Sequence, residues 1–193
     1  MVTGELRAKI DNVWNAFWAG GIANPIEVIE QITYLLFIRG LDDIQTREEN
    51  RANSTGKPME RIIFPKRKKD GIGKDGGIPY EDMRWSRLKN RDPKMMFDIV
   101  SEHVFPFLRS MAEDGTAHAT HMKGARFTIP TPALLAKVVD LLAEIPLEDR
   151  DTKGDLYEYM LGKIASAGQN GQFRTPRHII ALMVEMTKPT RRT

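Results

Sequence analysis

Cysteine is absent from the 193-residue sequence. Its absence excludes a disulfide framework and any zinc site built from cysteine ligands. The chain also lacks an apolar stretch of about 18 residues, the length that a membrane-spanning helix needs. The first residues, MVTGELRAKIDNVW, have no apolar core of the kind found in secretory signal peptides. We therefore expect a cytoplasmic protein that makes no use of a membrane.

The overall composition is that of an ordinary soluble globular protein. Hydrophobic residues make up 41% of the chain and charged residues 28%, which leaves enough apolar side chains for a core. The net charge of +3 is small, so it permits an anionic partner such as DNA without requiring one. The positions of the basic residues are therefore more informative than their total.

Apolar residues recur at helical spacing along most of the chain. The first stripe covers residues 6–18 and ends at a pair of glycines. A second helix begins at Asn24-Pro25, and its apolar run ITYLLFI predicts a central place in the core. Six or seven helices with almost no strand predict an all-α domain. The other predicted helix starts are Asp92-Pro93, Thr131-Pro132, the turn at residues 151–154 and Thr175-Pro176.

Two stretches depart from the helical pattern. Residues 45–80 are polar, basic and rich in proline and glycine, which predicts a long surface loop. Within it, residues 61–64 have the composition of a short strand that would form half of a small hairpin. In the helix after Asp92, Pro106 should kink or break the run near His103, because proline removes a backbone donor.

Basic residues cluster in the loop and again around Trp85. A basic loop could contact phosphates and add salt-dependent affinity that is blind to sequence, whereas the alternative is a solvated loop. Trp85 could stack on a base, although anchoring the end of the loop in the core is the commoner use of such a residue. The candidate DNA contacts are Lys66, Arg67, Lys68, Lys69, Arg84 and Arg87.

Catalytic patterns are scarce. His118 and His121 could share one helix face, but no third ligand accompanies them, so no metal site is predicted and a metal-dependent hydrolase is the weakest hypothesis. No serine lies in a nucleophile-elbow pattern. The acidic pairs at residues 42–43 and 48–49 are interpreted as charged helix ends.

The most specific signal is GDLYEYMLGKIASAGQNGQFRTPRHIIALMVEM, residues 154–186. This segment resembles the modification subunits of type I restriction enzymes. Their pattern is roughly G-D-x-Y-E-Y-L-L-x-K-F-A, then a glycine-rich turn, then G-x-F-Y-T-P and an apolar helix. The tryptophan-rich first helix and the segment ITYLLFIRGLDD agree in kind with the N-terminal helical domain of that family.

The resemblance implies that the full subunit methylates adenine N6 in DNA with S-adenosylmethionine as the methyl donor. It implies a helical domain that helps to hold DNA and to dock a second modification subunit, the specificity subunit and the restriction subunit. In the family the F-Y-T-P element lies against the donor. The implied cofactor-binding residues are therefore Phe173, Arg174, Thr175 and Pro176, with arginine in place of the usual tyrosine.

A physical argument supports a donor contact at this element, and a simpler interpretation competes with it. Thr175 would cap a helix N-terminus, where free backbone N–H groups suit a carboxylate such as that of the donor. A threonine followed by proline is also a common helix start with no ligand. Thr131-Pro132 is such a pair within this chain.

Two elements of adenine methyltransferases are missing from the sequence: a D-P-x-x-G-x-G-like donor loop and an N-P-P-F/Y element for the target base. Because methyl transfer needs both donor and base to be held, we expect no catalytic residue in this chain and no activity from it alone. We predict a multi-helix N-terminal bundle with a long basic loop, residues 1–150. Residues 151–193 would be the leading helices of a truncated α/β methyltransferase domain.

An alternative of another class stays open, namely a non-enzymatic helical module that binds DNA or acts as a scaffold. The methyltransferase hypothesis carries a structural expectation of its own. If residues 151–193 normally cover a missing sheet, their apolar side chains should be exposed and should invite self-association or re-docking on the helical domain. Those side chains are Tyr157, Met160, Ile164, Ile179 and Met183.

Overall fold

The computed structural model describes residues 4–65, 78–111, 122–147, 150–166 and 177–187. Within these ranges the chain is helical and contains no strand, which confirms the all-α prediction. None of the described helices is long and apolar enough to span a bilayer. The helices are α1 (Gly4–Ala19), α2 (Pro25–Thr55), α3 (Trp85–Leu88), α4 (Pro93–Ile99), α5 (Phe105–Ser110), α6 (Pro132–Ala143), α7 (Arg150–Ser166) and α8 (Arg177–Thr187).

Side-chain caps followed by proline start three of these helices where the sequence predicts them. The side chain of Asn24 accepts a hydrogen bond from the N–H of Ile26, the second residue of α2, at 3.0 Å. Asp92 accepts from the second residue of α4, and Thr131 accepts from the third residue of α6. Each cap satisfies a backbone donor that has no partner inside the helix, and the proline that follows is already set to a helical φ.

Helix α2 is longer than its sequence pattern indicates. The loop was predicted to begin at residue 45, but the helix continues to Thr55 and ends at Gly56, whose φ of +67° is left-handed. The N–H of Gly56 bonds to the carbonyl of Ala52, a common helix ending that favours glycine. The polar residues of this last part resemble a loop in composition, although several of them bond to the segment that follows.

The predicted strand at residues 61–64 is wrong, since the described residues there form no ladder. Instead, the side-chain carbonyl of Gln45 accepts hydrogen bonds from the N–H groups of Ile63 (2.8 Å) and Phe64 (3.3 Å). Both of those side chains are buried. A buried amide on α2 thus satisfies the backbone donors that a neighbouring strand would otherwise satisfy.

The helix does not break at Pro106. A π-helical turn, Val100–Val104, joins α4 to α5, and the N–H of Phe105 reaches back five residues to the carbonyl of Val100. Proline has no N–H to donate, and its ring crowds the carbonyl four residues earlier. A π turn, with its wider hydrogen-bond spacing, is a known local irregularity within a continuous helix. Pro106 therefore shifts the hydrogen-bond register of the helix and does not break it.

One continuous hydrophobic core joins the helices. Helix α6 packs against α1 and α4, while α7 packs against α1 and α2. Rings of α4 and α5 contact Phe127 of the segment before α6 at centroid distances of 5.1–5.2 Å. The largest fully buried side chains include Phe17, Ile32, Phe105, Leu108, Leu135, Leu142, Leu156 and Met160.

The turn between α1 and α2 gives a first stability prediction. A Cβ added at Gly20 would overlap with Cδ2 of Leu134, which is buried on α6. We expect Gly20→Ala to lower the free energy of unfolding by about 1–3 kcal/mol through overpacking. Gly40→Ala is the matched control, because a Cβ there meets nothing within 4 Å and alanine favours a helix interior. Urea denaturation in which Gly20→Ala is as stable as the parent would contradict this.

Candidate functional site

Some of the predicted site residues lie within the described ranges, and the others lie outside them. Arg84 and Arg87 lie within the described residues. Trp85 is 6% exposed and belongs to the core, which confirms the interpretation of this residue as an anchor. The proposed donor contacts Phe173, Arg174, Thr175 and Pro176, the basic run Lys66, Arg67, Lys68 and Lys69, and the pair His118 and His121 all lie outside the described residues.

Arg84 is the centre of a partly buried polar network that it forms with side chains of α2. Its Nε donates to Asp42 at 2.5 Å, its Nη1 to Glu49 at 2.8 Å and its Nη2 to Thr46 at 2.9 Å. The other carboxylate oxygen of Asp42 accepts the backbone N–H of Ser86 at 2.7 Å. The network therefore fixes the start of α3 against the second half of α2.

The network occupies the guanidinium group of Arg84. All three of its guanidinium nitrogens donate to α2, which leaves the group poorly placed to bind a phosphate, so its contact with DNA stays a prediction that this geometry disfavours. Asp42, interpreted from sequence as part of a charged helix end, is only 4% exposed. The signal that could have located it is the spacing of Asp42, Thr46 and Glu49, which places all three on one face of a helix.

Arg87 differs from Arg84 in being exposed. Lys89 and Lys94 are also exposed and follow it across the turn into α4. A further cation of this segment, Arg91, donates to Asp82 at 2.6 Å. We call Arg87, Lys89 and Lys94 the α3–α4 basic turn, since it presents three cations to solvent in the way that sequence-blind phosphate contacts require.

A second polar cluster joins α1 to α7. The hydroxyl of Tyr159 donates to Oδ1 of Asp11 at 2.8 Å, and Nζ of Lys163 lies 2.6 Å from the same oxygen. Lys163 also lies 5.5 Å from the ring centroid of Trp14 and 5.3 Å from that of Tyr159, within cation–π range. Arg7 lies 5.1 Å from the Tyr159 ring. These five residues are the Asp11 cluster.

Two carboxylates have lowered pKa values because of these networks. Burial raises the pKa of Asp11, but the hydrogen bonds from Lys163 and Tyr159 and the nearby cations outweigh it. Burial likewise raises the pKa of Glu49, and the hydrogen bonds from Arg84 and Gln45 outweigh that effect. Each folded pKa therefore lies below its ordinary value, since both groups are stabilised in the charged form.

This direction of shift predicts that acid destabilises the fold. A carboxylate with a lowered folded pKa contributes stability that is present above its unfolded pKa and is lost as the pH falls through the folded pKa. The urea midpoint should therefore fall between about pH 5 and pH 2. The variant Asp11→Asn/Glu49→Gln should show a shallower fall, and an unchanged pH profile in that variant would refute the assignment.

Helix α7 corrects one sequence expectation. Met160 is fully buried and Ile164 is 9% exposed, while Tyr157 is half-buried and packs against the core. These three side chains were expected to be exposed and then to self-associate or to re-dock on the helical domain. They are not exposed, and they pack on the helical domain. The physical reason is that α1 and α2 offer an apolar groove that covers the same face of α7.

A small cleft of about 240 Å³ lies between α2 and α7. Its wall is mostly apolar, and the charged residues in its lining are Arg39, Asp43 and Lys153. The volume is below the roughly 300–1,000 Å³ usual for sites that enclose a drug-sized ligand. Among the described residues there is also no group of three potential metal ligands. We therefore assign neither the donor nor a metal to this cleft.

Comparison with known protein families gives two matches that cover adjoining parts of the chain. Residues 6–142 match the family of the HsdM N-terminal domain. The chain belongs to this family. The adjoining residues 148–193 match the N-6 DNA methylase family. The predicted resemblance to type I modification subunits is thereby confirmed.

A curated relative is the type I restriction enzyme EcoEI methylase subunit of Escherichia coli, 28% identical over 103 residues. That alignment covers 49% of this chain and 21% of the relative, so the chain spans about one fifth of its length. No solved structure matches the chain.

The two matched ranges meet between α6 and α7. In sequence, α7 belongs to the N-6 DNA methylase range. In packing, it belongs with the HsdM N-terminal helices, because Leu156, Met160 and Ile164 are part of the same core cluster as α1 and α2. The helical domain and the first helix of the methylase range therefore share one hydrophobic core.

Helix α8 contrasts with α7. Ile179 and Met183 were expected to be exposed, and they are. The helix is apolar nearly all round, a pattern typical of a helix that becomes enclosed by other elements. Its exposed apolar side chains are Ile179, Ile180, Leu182, Met183, Val184 and Met186.

Proposed function

We propose that the chain is the N-terminal part of a DNA methyltransferase subunit of a type I restriction–modification system. The proposed reaction is methylation of adenine N6 with S-adenosylmethionine as the donor. The observation that carries the proposal is the order of the two family matches: an HsdM N-terminal range leads directly into an N-6 DNA methylase range. The likeness to the EcoEI methylase subunit supports the same assignment.

Within such a subunit, this chain would hold DNA and partner subunits, and catalysis would require residues that the sequence lacks. Neither a D-P-x-x-G-x-G-like loop nor an N-P-P-F/Y element occurs in it. The proposed donor contacts, Phe173, Arg174, Thr175 and Pro176, come directly before α8. The proposed partners are DNA, a second modification subunit, the specificity subunit and the restriction subunit.

Methyl transfer tests the proposed function. The subunit that carries this chain would be purified with its specificity subunit and incubated with unmethylated DNA and S-adenosylmethionine labelled in the methyl group. The DNA would then be digested to nucleosides and analysed by mass spectrometry. Labelled N6-methyldeoxyadenosine is the expected product. Labelled N4-methyldeoxycytidine, or no labelled nucleoside, would overturn the proposal in favour of another methylase or a non-enzymatic scaffold.

The α3–α4 basic turn is the part of the proposed DNA grip that the described residues support best. We expect Arg87→Ala/Lys89→Ala to weaken DNA binding similarly for all sequences. The slope of log affinity against log salt should fall by about one for each phosphate that the variant no longer neutralises. Fluorescence anisotropy of this chain with labelled duplex DNA at several salt concentrations measures both quantities.

Lys137→Ala provides a control on α6 that removes one positive charge, where the lysine is also exposed. It should leave the salt slope nearly unchanged, because it lies outside the turn. An equal reduction of slope per charge for Lys137 and for the basic turn would mean that only net charge matters. The turn would then not be a DNA interface.

A further inference from the structure

In α7 the family pattern includes Y-E-Y and lysine positions that precede the donor segment. In this chain they are Tyr157, Tyr159 and Lys163. Each of the three lies against the HsdM N-terminal helices: Tyr157 lines the cleft beside Thr33 of α2, and the other two bind Asp11 on α1. The described contacts of these residues therefore join two sequence families.

Asp11 is the hub of this junction. One of its carboxylate oxygens receives both the hydroxyl of Tyr159 and the ammonium of Lys163. The two donors are four residues apart, so they extend from the same face of α7 one turn from each other. Because both bonds end on one atom, α7 can neither rotate nor slide along α1 without breaking at least one of them. The side chain of Met160, on the same helix, is fully buried in the core and also holds α7 in place.

We propose that Asp11 is a positioning residue for methyl transfer. By fixing α7 on α1, it sets the place of the methylase range that follows relative to the helices that hold DNA. The inference rests on the proposed function, since it assumes that DNA lies on one side of this junction and the methyl donor on the other. It adds a role for a residue that lies far in sequence from the proposed donor contacts.

The first test asks whether Asp11 and Lys163 interact as a pair in this chain. Asp11→Asn, Lys163→Met and the double variant would be compared by urea denaturation in a double-mutant cycle. We expect the double variant to be less destabilised than the sum of the single variants. The exchanged pair Asp11→Lys/Lys163→Asp should recover part of the stability. Additive effects with no recovery by exchange would overturn the pairing on which the proposal depends.

The second test uses the methylase subunit with its specificity subunit. Asp11→Asn should lower kcat for methylation by roughly ten- to hundredfold, because small misplacements of reacting groups are costly. KM for S-adenosylmethionine should stay within about twofold of the parent value, since the donor contacts are untouched. Asp11→Glu should restore most of kcat, and circular dichroism should show that all variants are folded.

Glu5→Gln is the matched control, since Glu5 forms an ion pair on α1 with Lys9 and its own side chain is 82% exposed. It should leave kcat unchanged. A parent subunit that methylates DNA, together with an Asp11→Asn variant of equal kcat, would overturn this inference and leave the proposed function intact. A parent subunit that transfers no methyl group would instead refute the proposed function. A rise in KM alone would assign Asp11 to donor binding and would also overturn the positioning role.

Discussion

Replacing Asp42 with alanine is expected to lower the free energy of unfolding by about 3 kcal/mol, the low end for breaking a buried ion pair, because Arg84 keeps its bonds to Glu49 and Thr46. The Asp42 side chain is 5% exposed and that of Arg84 is 14% exposed, so water can replace little of the missing carboxylate. The N–H of Ser86 would lose its acceptor as well. Urea denaturation followed by circular dichroism measures the effect.

Arg51→Ala is the control for this prediction. Arg51 also forms ion pairs with two carboxylates, Glu48 and Glu60, but its side chain is 41% exposed. Exposed pairs contribute little because water and salt screen them, so the urea midpoint should barely move. If Asp42→Ala were as mild as Arg51→Ala, the network around Arg84 would not be what holds α3 on α2.

Met160→Ala should also cost about 3 kcal/mol, which is within the range for truncating a fully buried methionine. The expected destabilisation combines the reduced burial of apolar surface with the cavity left between α7 and the helical domain. Denaturation should remain a single transition in the parent chain, because Met160 belongs to the same core cluster as Phe17 and Leu135.

The adjacent Leu161→Ala variant separates core packing from helix propensity. Leu161 is 40% exposed, and leucine and alanine differ little in helix propensity, so this change should be nearly neutral. If both variants were nearly neutral, α7 would not be packed on α1 and α2. The proposed positioning role of Asp11 would then fail too, because it requires α7 to pack on α1.

The predictions that the structure confirms depend mostly on local chemistry. A cap followed by proline fixes a helix start through atoms only two or three residues apart, and Asn24, Asp92 and Thr131 were recognisable for that reason. The buried position of Trp85 follows from its size and apolar surface. Information of this kind is present in any short window of sequence.

The features that sequence patterns missed depend on contacts between distant residues. The polar residues from Gln45 to Thr55 resemble a loop, but they are helical because Arg84 and the backbone at residues 63–64 provide partners for them. Asp42 and Arg84 are 42 residues apart, and Asp11 and Tyr159 are 148 apart. No periodic pattern encodes pairings of that kind.

The same distinction applies to the candidate site. A cluster of basic residues identifies the right stretch of chain for phosphate contacts, but it cannot show which arginine is already engaged. The structure pairs Arg84 with α2 and leaves Arg87 exposed. The family resemblance, in turn, identified residues 154–186 as part of a methylase. Re-docking on the helical domain was one of two outcomes expected for their apolar face, and sequence alone could not decide between them.

The central claim is that α7, which lies in the methylase range, is part of the cooperative core of the HsdM N-terminal helices. Native-state hydrogen exchange of this chain tests that claim most directly, because it gives an opening free energy for each amide. We predict that the protected amides of α7 open with the same free energy as those of α6. Exchange of α7 at a much lower opening free energy, while α6 stays protected, would contradict the account.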